Sequence, residues 1–162
     1  MQTDLWNYCL NLYARPGVEQ ACLHLQDQGV DVCVLLCAAW LEERGVAFDK
    51  ARLGQLNACA GPWQHEVVQP LRQLRTRWRE AAAHDDALAT LRVQVKALEL
   101  EAERMLLRRL ESVTQGWSKT QSQDTCAWLQ KMTVDAGHPD CDALHQLLHQ
   151  GRQTGATLGL PA

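Results

Sequence analysis

Asp27 and Asp31 come nearest, among the residues of this chain, to a pair whose type and spacing could do chemistry. They stand four apart in Leu25-Gln26-Asp27-Gln28-Gly29-Val30-Asp31. Two carboxylates on one helix face can hold Mg²⁺, which in turn binds the phosphates of a substrate. Gly29 falls between them and breaks the helix, so the two carboxylates need not share a face. The second acidic motif of helical enzymes that bind diphosphates is missing, and the chain is short for that class. The favoured reading is local. Asp31 caps the helix that follows, and Gln26 and Asp27 bond to loose backbone ends. Gln26, Asp27 and Asp31 thus form a candidate Mg²⁺ or ligand corner, second to a structural role.

A second set lies near the C-terminal end. Cys141, His145 and His149 recur at four-residue steps, with His138 one turn earlier. Neighbours in such a row can share a transition metal such as zinc. A straight helix cannot bring all three to one ion, because its rise separates Cys141 from His149 by about 12 Å. Zinc would need further ligands, and no Cys-x-x-Cys supplies them. The favoured reading puts Leu144, Leu147 and Leu148 in the core and the histidines at its edge. Cys33 and Cys37 also stand one turn apart, but in apolar surroundings, where thiols pack rather than react. No Gly-rich phosphate loop and no nucleophile elbow is present.

A third set is basic. Arg72, Arg75 and Arg79 line one side of a helical segment, with Arg77 and Trp78 beside them. Such a stripe can bind phosphate, RNA or a partner surface. It can equally be a solvated face paired with Glu80, Glu99, Glu101 and Glu103. The net charge of −3 favours the second reading and counts against nucleic acid as a partner.

The elements that position these residues read as helices throughout. Val32 to Leu41 is an uninterrupted apolar run. A helix with one wet face would break that run every third or fourth residue, so this one is buried on most sides. Before it come a helix capped by Thr3 or Asp4 and running to about Ala14, and one from Val18 to about Gln28 with Pro16 in its first turn. Gly45 ends the central helix. A short helix capped by Asp49 follows, and Gly61-Pro62 restarts the chain. From Trp63 to about Ala83, Val67, Leu71, Leu74 and Trp78 keep a helical stripe, with Pro70 expected to kink or split it. After His84-Asp85-Asp86 the longest helix runs from Ala87 to about Val113. Its stripe is Leu88, Leu91, Val95, Leu98, Ala102 and Met105. Two stripes joined by a short turn read as an antiparallel helical hairpin, its second arm about 40 Å long. Val93, Leu100, Leu107 and Leu110 make a second apolar face on that arm, to be covered by the N-terminal core or by a partner. Gln115 to Gln123 reads as a loose connection. Helices at about Asp124 to Asp135 and Pro139 to His149 follow.

The fold class is therefore all-α: one domain over 1–150, a bundle of about seven helices around a buried central helix, with residues 151–162 a disordered tail. A chain of 162 residues can bury its own core. The apolar run is too short to span a bilayer, and the N-terminus lacks the pattern of a signal peptide. Seven cysteines, an odd number, several of them inside apolar patterns, fit reduced thiols in the cytoplasm.

Trp6, Leu10 and Tyr13, then Pro16-Gly17-Val18, then Ala21-Cys22-Leu23-His24-Leu25-Gln26-Asp27, Gly29, Asp31-Val32, Leu35-Leu36 and Trp40-Leu41, carry a resemblance. With a weaker continuation through Val68, Pro70, Leu71, Arg72 and Leu74, they resemble a proteobacterial family of uncharacterised conserved hypothetical proteins of about this length. The resemblance implies a bacterial, cytoplasmic, all-helical protein and brings no activity with it.

The expected function is that of a non-enzymatic helical protein acting through a protein partner, with a homodimer as one form of it. It rests on the hairpin, the six tryptophans and the lack of a catalytic set. The alternative is a small-molecule or Mg²⁺/diphosphate enzyme using the acidic corner. No resident cofactor is expected on the first reading; Mg would serve the acidic corner on the second, and Zn the row at Cys141, His145 and His149.

Overall fold

The computed structural model describes residues 4–119 and 128–136. They form an all-α fold, and the one β-type pairing among them is the isolated bridge between Val46 and Lys119. Contacts divide the chain into two compact units. One is drawn from residues up to Asp49 and from Gly116 onward; the other is Lys50–Gln115.

In the first unit, α1 (Leu5–Tyr13) starts at Asp4, whose carboxylate accepts the Asn7 N–H at 2.8 Å. It buries Leu5, Cys9 and Leu12. Helix α2 (Val18–Asp27) follows Gly17, which sits at φ 83°. Pro16 therefore lies ahead of the helix rather than in its first turn, because the left-handed glycine intervenes. Gly29, at φ 89°, closes α2: its N–H reaches Gln26 O, and Val30 N–H reaches Leu25 O. That pair of bonds satisfies carbonyls the helix end would otherwise leave open. Helix α3 (Val32–Glu43) begins at Asp31, and all nine residues from Cys33 to Leu41 are buried. A helix enclosed to this degree needs neighbours on several sides, and α1, α2 and α8 (Trp128–Ala136) pack against it. Trp128 anchors α8. Its ring is fully buried, its Nε1 donates to Val46 O at 2.8 Å, Trp117 stacks on it and Phe48 meets it edge-on. The Leu129 N–H adds a bond to the Glu42 carboxylate.

In the second unit, α4 (Lys50–Trp63), a π turn (Gln64–Val68), α5 (Gln69–Arg77), α6 (Arg79–Ala82) and α7 (Asp86–Val113) follow one another. Gly61-Pro62 does not restart the chain, since Pro62 lies inside α4. The irregularity falls later. Pro70 has no N–H to give and its ring crowds the carbonyl four residues back. The backbone widens into the π turn just before α5, with Gln69 N–H bonded five residues back to Gln64 O. Helix α7 starts at Asp85, which accepts the Leu88 N–H.

Helices α4, α5 and α6 pack along α7. Trp63 meets Ala102 and Arg109, Arg72 meets Glu99 and Glu103, and Arg75 meets Arg92 and Glu99, so the two runs are antiparallel. The inner ridge of α7 is the expected one only at Val95 and Ala102. Val95, Glu99, Ala102, Leu106 and Leu110 are buried, while Leu91, Leu98 and Met105 are exposed. The helix is turned so that Glu99 faces in, toward two arginines. A pattern reading keeps a carboxylate off an inner ridge, and so chose the neighbouring row. The second expected face also splits: Leu107 and Leu110 are buried, Val93 and Leu100 exposed.

Candidate functional site

At the acidic corner, Asp31 is occupied as a helix cap, its Oδ1 accepting the Val34 N–H at 3.2 Å. Asp27 is exposed at the last residue of α2, and Gln26 is half-buried beside it. Gly29 bends the chain between the two carboxylates. Among the described residues no group of three His, Cys, Asp or Glu side chains lies close enough to hold a metal ion. Cys141, His145 and His149 lie outside the described residues.

The thiols of Cys9 and Cys22 in the first unit are held in their protonated form. Burial pushes Cys9 up to about 12, helped by the neighbouring Cys22. Burial pushes Cys22 up to about 11 against a bond from Tyr13. A thiol in that range offers almost no thiolate for attack or ligation near neutral pH.

The basic stripe resolves into two parts. Arg72 and Arg75 are half-buried and turned onto α7. Arg75 Nε meets Glu99 Oε2 at 2.5 Å, Arg72 Nε meets Glu99 Oε1 at 3.1 Å, and Arg72 Nη2 meets Glu103 Oε1 at 2.9 Å. Burial works to raise the Glu99 pKa, but the two guanidiniums outweigh it and hold the carboxyl below its ordinary value. Glu103 shows the opposite balance, raised by burial despite Arg72. The bond to Glu99 raises Arg75 in turn. The Arg75 carbonyl also accepts from Arg92 Nε at 2.9 Å. Arg79 is exposed, and Trp78 is half-buried at the junction of α5 and α6.

Two residues that hold α4 to α7 were missed in the sequence. Trp63 Nε1 donates to Ala102 O at 2.9 Å, and the Arg109 guanidinium lies 4.0 Å over its ring. Trp63 carried a visible signal, a tryptophan one turn from the end of an apolar pattern. The inward role of Glu99 could be found only by pairing its position with Arg72 and Arg75 across the hairpin.

What remains open on this unit is the outside of α7. Val93 is 69%, Leu98 57%, Leu100 55%, Leu91 48% and Met105 43% exposed. Leu91, Leu98 and Met105 stand seven apart and form one line; Val93 and Leu100 form another. Scattered exposed leucines are ordinary on a protein surface. The rows are two residues apart, about 200° around the helix, so they lie on opposite flanks of α7.

No curated protein and no solved structure matches the chain. A family model does, over residues 4–110, from the cap of α1 to the last turn of α7 and short of Trp117 and α8. That match spans more than half of the sequence, and the chain belongs to the family described as Protein of unknown function (DUF2390).

Proposed function

We propose that this protein works by binding another protein chain, and that the exposed apolar rows on the flanks of α7 are where it does so. The observation that carries the reading is the set of five large apolar side chains on α7, each between 43 and 69% exposed. Water contact at so many aligned apolar groups is unfavourable at about 25 cal/mol per Å². Covering them with a partner recovers that energy, and aligned apolar rows on an otherwise polar helix are how helices are recognised. The chemistry elsewhere on the chain supports this reading. The corner carboxylate Asp31 serves as a cap, the thiols of Cys9 and Cys22 are protonated, and Arg72 and Arg75 are engaged with Glu99.

The test is a photo-reactive amino acid placed at position 98 and, separately, at position 100 in the source cells. The expected result is discrete protein adducts at one or both positions, lost when a neighbouring apolar residue of the same row is changed to lysine. Quenching by solvent alone at both positions overturns the proposal.

A further inference from the structure

The row Leu91, Leu98 and Met105 is borne on α7 over about 21 Å at the rise of an α-helix. Three residues on from each lies a parallel row: Gln94, Glu101 and Arg108, all exposed. The apolar row therefore has a polar edge of known order. That order decides what can cover it.

We infer that the apolar row of α7 is the seam of a homodimer, in which α7 of a second copy lies antiparallel with Leu98 on the two-fold axis. The inference rests on the proposed binding role of α7 and names the partner. With Leu98 against its own counterpart, Leu91 of each copy faces Met105 of the other. The polar edges then fall into register. Gln94 lies opposite Glu101, so an amide N–H donates to a carboxylate, twice by symmetry. Arg108 lies opposite the start of the second copy's α7, where Asp86 is exposed. The parallel alternative sets Glu101 against Glu101 and Arg108 against Arg108. Like charges in direct opposition oppose that arrangement, whereas the antiparallel one sets Glu101 against an amide and Arg108 near a carboxylate, with no like charges opposed on the edge. An isologous contact of this kind uses one patch twice and closes at two copies. It also fits the form of the unit. An antiparallel helical pair has one inner ridge, and two such pairs side by side enclose a four-helix core.

Sedimentation or light-scattering mass, measured on the purified chain over a wide concentration range, reads the outcome. The expected result is a dimer that dissociates on dilution. Leu98→Lys places two charges on the axis and should weaken association about a hundredfold or more. Val93→Lys, on the other row, should leave the mass unchanged. Arg108→Asp should weaken association about tenfold, by setting a carboxylate against Asp86. Leu98→Gln serves in place of the lysine variant if that one does not fold. Position 98 can also be read in a folded background, because Leu98→Cys should form a cross-copy disulfide under mild oxidation and Val93→Cys should not. A wild-type chain that stays monomeric at every concentration overturns the inference, as does a dimer insensitive to Leu98→Lys and Leu98→Gln. If the chain is monomeric while the photo-adducts at position 98 or 100 are with a different protein, the dimer fails and the binding role stands. If there are no adducts either, both fail.

Discussion

Helices α3 and α7 solve opposite problems with different compositions, the first almost wholly apolar and the second mixed. Helix α3 is twelve residues long and buries nine in succession. Helix α7 is twenty-eight residues long, and its inner ridge includes a glutamate while five large apolar side chains face water. On α3 every apolar group is already used by the fold. On α7 a carboxylate shares the inner ridge with Val95, Ala102, Leu106 and Leu110, while other apolar groups are left over. The difference teaches that burial and hydrophobicity are separable along one chain, and that the surplus is the place to look for function.

The largest expected effect tests the α3 side. Leu36→Ala should destabilise the protein by about 2–5 kcal/mol, the lost transfer energy plus a cavity the surroundings cannot fill. Chemical denaturation monitored by circular dichroism measures it. A loss near that of a surface change would remove the contrast between the two helices.

The next effect tests whether α7 is held by charge. Glu99→Ala leaves Arg72 and Arg75 half-buried without their shared carboxylate and should cost about 3 kcal/mol. Acid should erase the difference in a defined direction. Glu99 sits below the ordinary carboxyl value of 4.5, so its contribution is present above that value and is lost as pH falls through the folded-state pKa. Glu103 is raised above 4.5, so its ionised form opposes folding, and that opposition is relieved as pH falls through its own higher value. Glu103→Gln should therefore cost much less than Glu99→Ala at neutral pH. Denaturation midpoints of the two variants and the parent, taken from neutral to acid pH, check both signs. Equal losses from the two glutamates would show that their environments are not as different as the geometry makes them.

How much of this was legible in the sequence follows the same division. The all-α class, the unbroken burial of α3, the caps at Asp4 and Asp31 and the left-handed stops at Gly29 and Gly45 are local features, and local physics places them. The rotation of α7 was not legible. It depends on Glu99 finding Arg72 and Arg75 more than twenty residues away, and a periodicity count treats each segment alone. The passage of α4 through Gly61-Pro62 was hidden for a related reason. A glycine-proline step is a common helix breaker, but here Pro62 lies inside α4 and the helix continues to Trp63. Of the candidate sites, the basic stripe was visible as residue types, while the split into engaged Arg72 and Arg75 and exposed Arg79 needed the partner helix.

A smaller effect separates the cap from a metal site at the acidic corner. Asp31→Ala should cost about 1 kcal/mol, whereas Asp31→Asn should be close to neutral, because asparagine accepts the Val34 N–H as well as aspartate does. Melting temperatures with and without added Mg²⁺ decide the matter. A parent stabilised by Mg²⁺, with Asp31→Asn losing that response, would return the corner to a binding role.

The smallest effect sharpens the α7 side. Leu98→Ala, read as fold stability at a protein concentration too low for association to contribute, should fall within about 0.5 kcal/mol of the parent. The side chain is 57% exposed, so truncating it removes little buried surface and opens no enclosed cavity. The pair Leu36→Ala and Leu98→Ala then makes one measurement of the contrast between the helices: the same chemical deletion, a large loss on α3 and almost none on α7. A loss of several kcal/mol from Leu98→Ala in the dilute monomer would mean that the row is already covered within the chain. It would then be packing, and no surface would be left for a second copy to cover.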